Sequence, residues 1–99
     1  MMDNSGAYKQ IAKQIEMRGM SRQELVDFFV EMGGVSVQDS LIIGEDAEGH
    51  KWSVELSEQK QIQLCSLLLP ATSLTIKADS NLLNHLLMEL RMKFLSAGG

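Results

Sequence analysis

The sequence predicts an α+β fold: two N-terminal helices, a small three-stranded antiparallel sheet, and two further helices. In chain order this is helix–helix–strand–strand–helix–strand–helix, with a β-hairpin supplying two strands and a later segment the third. Three observations point there. Apolar residues recur at helical spacing near both ends of the chain, alternate with polar ones in the middle, and are punctuated by turn and capping residues.

The first helix is expected over residues 7–18. Tyr8, Ile11, Ala12 and Ile15 fall at i, i+3, i+4 and i+7, and Lys9, Gln10, Lys13 and Gln14 take the other side. Gly19 suits the left-handed conformation that ends a helix. Ser21 and Glu24 then have the spacing of a capping box, with Met20 and Leu25 placed as its hydrophobic staple. A second helix follows over 22–32, with Leu25, Phe28, Phe29 and Met32 on one face and Val26 and Val30 widening it. Gly33 and Gly34 stop it.

"VSVQDSLIIGED" and "HKWSVELS" read as the hairpin. Trp52, Val54 and Leu56 alternate with Lys51, Ser53 and Glu55, the pattern of a strand buried on one face. Val35, Val37, Leu41 and Ile43 share a register in the first strand, but that register also carries Asp39 inward. A bulge, or a strand starting near Ser40, removes the conflict. Ser57 is placed to cap a third helix over 58–69 halted by Pro70, although Ile62 and Leu64 alternating with glutamines also fit a strand. "SLTIKAD" (73–79) supplies the third strand, and Asp79 or Ser80 caps the last helix, 81–96.

That last helix carries two apolar stripes. Leu82, Leu83, Leu86, Leu87, Leu90 and Phe94 cover one broad arc; Met88, Met92 and Leu95 lie on the opposite side. One stripe needs the sheet. The second is covered either by the N-terminal helices or by another chain, and methionine suits the latter because it fills irregular gaps.

At 99 residues the chain has room for one domain, 1–99, with residues 1–5 and 96–99 expected to fray. Net charge is −4, and residues 35–57 hold five acids against Lys51 alone. This weakly opposes polyanion binding. A single cysteine excludes an intrachain disulfide and suits a reducing cytoplasm. No apolar run exceeds three residues, and "MMDNSGAYKQ" lacks a secretory signal's apolar stretch, so a cytoplasmic protein without membrane association is expected.

Candidate chemistry is sparse. Cys65 lies among apolar residues and is expected in the core as an inert thiol. His50 stands at the edge of the acidic loop "GEDAEGH", which reads as a solvated turn because it lacks a calcium loop's alternating oxygen ligands. His85 with Glu89 makes an exposed helix pair. No paired ligand spacing points to metal, and no glycine-rich cradle or nucleophile motif points to a cofactor, a small-molecule ligand or a reaction. A non-catalytic interaction or regulatory protein is expected. It binds a protein partner or a second copy as a homodimer, through Met88, Met92 and Leu95 with Arg91 at the rim.

The segment "IAKQIEMRGMSRQELV" (11–26) resembles the first two helices of Cro- and repressor-type helix-turn-helix domains in its Gly-hydrophobic-Ser turn and Ser-x-x-Glu-Leu opening. The resemblance implies DNA binding, with Lys9, Lys13, Arg18 and Arg22 on phosphates, as the alternative function. Val26 stands where such domains usually carry a small residue, and β-rich "VQDSLII" stands where a recognition helix would come.

Overall fold

The structure, a computed structural model, describes residues 10–94. It holds one sheet of six strands and two helices: β1 (Ile11–Arg18), α1 (Arg22–Glu31), β2 (Val35–Gln38), β3 (Leu41–Glu45), β4 (Lys51–Leu56), β5 (Lys60–Leu64), β6 (Leu67–Ala78) and α2 (Ser80–Phe94). The order across the sheet is β1-β6-β4-β3-β2, with β5 also on β6, and every pairing is antiparallel.

This overturns the predicted arrangement of two N-terminal helices and a three-stranded sheet. The expected first helix is a strand, β1, paired with β6 over eight residues from Ile11↔Ala78 to Arg18↔Ala71. Ile11 and Ile15, four apart, satisfy helical and strand periods alike, so Ile11, Lys13, Ile15 and Met17 line one face of a strand equally well. The long partner decides, overriding the helix propensity of Ala, Lys, Gln and Glu. The expected third helix is also strand: β5 turns at Cys65-Ser66 into the start of β6. Pro70 therefore sits inside β6, on the segment where β1 no longer pairs. Its carbonyl accepts the N–H of Gly19 at 2.9 Å.

The first strand of the expected hairpin is two strands broken at Asp39-Ser40, with a register shift between Ser36 and Gln38. Ile42 is the buried residue of β3, and Val35, Val37 and Ile43 point to the open face, 40–63% exposed, which reverses their predicted register. Trp52, Val54 and Leu56 are buried as their alternation requires.

α1 keeps its capping box. Ser21 Oγ accepts from the Glu24 N–H at 3.1 Å, and Glu24 Oε1 accepts from the Ser21 N–H at 2.8 Å. Both helices lie on one face of the sheet, where Leu25, Phe28 and Phe29 of α1 and Leu82, Leu83, Leu86 and Leu90 of α2 join Ile42, Trp52, Val54, Leu56, Leu74 and Ile76 in one core. The opposite face has no covering layer among the described residues.

Candidate docking surface

On α2 the wide stripe is buried and the narrow one is not. Leu82, Leu83, Leu86 and Leu90 are at most 9% exposed, and Leu87 and Phe94 pack at the margin. Met88 and Met92 are 50% and 59% exposed. At about 100° per residue, Arg91 and Leu87 lie on the flank toward β1, Met88 on the crest, and Met92 on the flank toward α1. Leu95, the third expected docking residue, lies outside the described residues.

Grooves open on both flanks. One, of about 300 Å³, runs between β1 and α2 and is lined by Lys13, Ile15, Glu16, Met17, Leu87, Leu90 and Arg91. The other, about 290 Å³, is lined by Phe28, Glu31, Met32, Glu89, Met92 and Lys93, with Lys93 Nζ 3.5 Å from Glu31. An apolar band thus crosses the helical layer from Ile15 and Met17, past Met88, to Met92 and Met32. Glu16 is held by Arg18 at 2.8 Å. Lys13 and Arg91 have no carboxylate partner among the described residues.

The nucleic-acid alternative loses its frame, because its first helix is β1. Lys13 and Arg18 alternate onto opposite faces of that strand, and Lys9 lies outside the described residues. Arg22 is consumed internally: its Nε donates to Ser57 O at 3.0 Å and its Nη2 to Asp39 O at 2.6 Å. It ties the start of α1 to two loops.

Cys65 is not in the core. It occupies the exposed β5–β6 turn with φ +56°, because 58–69 is a hairpin whose tip carries it outward. His85 is exposed on α2. His50 lies near Asp79 at the far end of β6, about 40 Å of strand from Cys65. The three reactive candidates therefore do not converge.

The acidic loop is more organised than a solvated turn. Asp46 Oδ1 accepts the N–H of His50 at 2.8 Å and of Glu48 at 2.9 Å. These bonds, the one from His50 foremost, hold the Asp46 carboxyl below its ordinary value against the opposing effect of burial. His50 Nδ1 lies 3.3 Å from Asp46 Oδ2, 3.9 Å from Glu48 Oε1 and 3.6 Å from Asp79 Oδ2. Asp79, remote in sequence, arrives because its Oδ1 caps α2 through the Leu82 N–H at 2.9 Å. The cluster ties the β3–β4 loop to the start of α2. Ligand atoms of Asp46, Glu48 and His50 within 4.8 Å of one another also make a cation geometrically admissible, a point the sequence reading set aside.

Fold and surface together define a two-layer α/β protein: an antiparallel sheet with helices on one face and an apolar band across the helices. The chain belongs to the archaeal MoaD-like protein family, whose model matches residues 13–99. Neither a curated protein nor a solved structure matches it significantly. No helix among the described residues is long and apolar enough to cross a membrane.

β1 was missed as part of the surface because its residues read as helix. The alternation of Lys13, Ile15 and Met17 with Gln14, Glu16 and Arg18 was the available signal.

Proposed function

We propose that this archaeal MoaD-like chain is a non-catalytic docking protein that binds a protein partner across α2 and the neighbouring edge of β1. The observation that carries this reading is the exposure of Met88 and Met92, one turn apart on a helix whose other face is fully engaged. Exposed large apolar side chains flanked by grooves mark interaction sites, and methionine adapts to partner shape. Lys13 and Arg91, without carboxylate partners of their own, favour a partner with acidic groups at the rim. The single cysteine suits a reducing compartment such as the cytoplasm.

The test compares wild type with Met88→Glu/Met92→Glu and with Arg91→Glu, using the protein immobilised in extract from its host. A specific partner is lost by the double variant, and its on-rate falls with Arg91→Glu and with added salt. Because both methionines are exposed, circular dichroism and melting temperature should stay at wild-type values. A partner retained equally by all three proteins refutes the surface.

A further inference from the structure

The β5–β6 hairpin is a second interaction surface, independent of α2. β5 has β6 as its main neighbour. β6 runs twelve residues, but β1 accompanies it only from Ala71 onward. Residues 60–70 therefore form a two-stranded arm beyond the helical layer, with neither outer edge paired among the described residues. A lone two-stranded hairpin is marginal in water, and exposed edges ordinarily carry charges that discourage association. This arm does the reverse. From Gln61 to Ile76 there is no Asp, Glu, Lys or Arg.

Register concentrates its apolar groups. Ile62 pairs with Leu69 and Leu64 with Leu67, so these four side chains share one face. Leu64 is 43% and Leu67 63% exposed, and Leu68 on the reverse face is 62% exposed.

The geometry points to a second copy of this chain as the occupant: two arms pack through Ile62, Leu64, Leu67 and Leu69 about a two-fold axis. A two-fold interface requires a patch to complement itself. An uncharged aliphatic face meets its own copy without like-charge repulsion, in a chain that elsewhere carries net charge −4. A charged partner surface, by contrast, would find nothing on the arm to neutralise it. The open edges add backbone donors and acceptors that a second arm supplies in equal number.

Sedimentation equilibrium over a range of protein concentrations tests this. A species of twice 11.0 kDa is expected, reduced to the single-chain mass by Leu64→Lys/Leu67→Lys and unchanged by Met88→Glu/Met92→Glu. Should the arm variant misfold, a nitroxide on Cys65 of the wild-type chain gives an independent reading. Opposed arms hold the two tips within about 35 Å, two lengths of a five-residue strand, so dipolar coupling is expected. A single-chain mass at every concentration overturns the proposal, as does a dimer abolished by the α2 variant instead. Loss of partner binding at α2 leaves this result untouched, so the two surfaces stand or fall separately.

Discussion

The ring of Trp52 lies directly across Gly44, its cross-strand partner, and a Cβ built on Gly44 would fall within the indole. Trp52 can be 2% exposed in so small a core because β3 offers no side chain there. The indole also covers Gly34, where a Cβ would meet Ile42 Cγ2 at 2.6 Å and Phe29 O at 2.8 Å. Gly44→Ala is therefore expected to cost about 3 kcal/mol, the upper range for overpacking. Urea denaturation checks it, and Gly34→Ala should follow in the same direction.

Thr72 gives the opposite sign. Its Oγ1 is buried and has no hydrogen-bond partner among the described residues. Replacing the hydroxyl by a methyl removes a desolvation cost with little change of shape. Thr72→Val should stabilise by about 1 kcal/mol, read as a rise in denaturation midpoint at unchanged slope.

Acid should weaken the β3–β4 loop. The Asp46 carboxyl titrates below its ordinary value in the folded protein. Its contribution is therefore present above the unfolded value and is lost as pH falls through the folded one, from about pH 4 downward. Asp46→Asn should flatten the stability profile in that window, and amide exchange at Glu48 and His50 should speed up with the acid side chain removed.

The capping box of α1 is separable from the rest of the core. Ser21→Ala is expected to cost about 1 kcal/mol, and Glu24→Ala less, because Ser21 still accepts the N3 amide. Thermal denaturation of the two single variants and the double gives their coupling.

What was legible in the sequence follows from whether a local rule and the tertiary partners agree. Ser21, Glu24 and Leu25 form a local cap, and α1 stands. Trp52, Val54 and Leu56 carry an unambiguous two-residue period. The stripes of α2 were also readable, since fifteen residues separate a buried arc from an exposed one. Ile11 and Ile15 were not: their spacing serves both periods, and only β6, some sixty residues on, selects the strand. Residues 58–69 failed for a related reason. Ser57 and Pro70 mimic helix boundaries, but Ser57 Oγ instead accepts the Ser73 N–H at 2.9 Å between strands. Asp79 beside His50 was invisible because nothing local announces that the end of β6 returns to the β3–β4 turn.

That distant return has a kinetic consequence. Residues 11–18 cannot find residues 71–78 until almost the entire chain has been made and its loop closed, so the first segment synthesised is among the last to be secured. High mean sequence separation slows folding. Until β1 arrives, β6 presents a long uncharged border to every other nascent molecule, and rapid refolding at high concentration should be where this protein is most easily lost to aggregation.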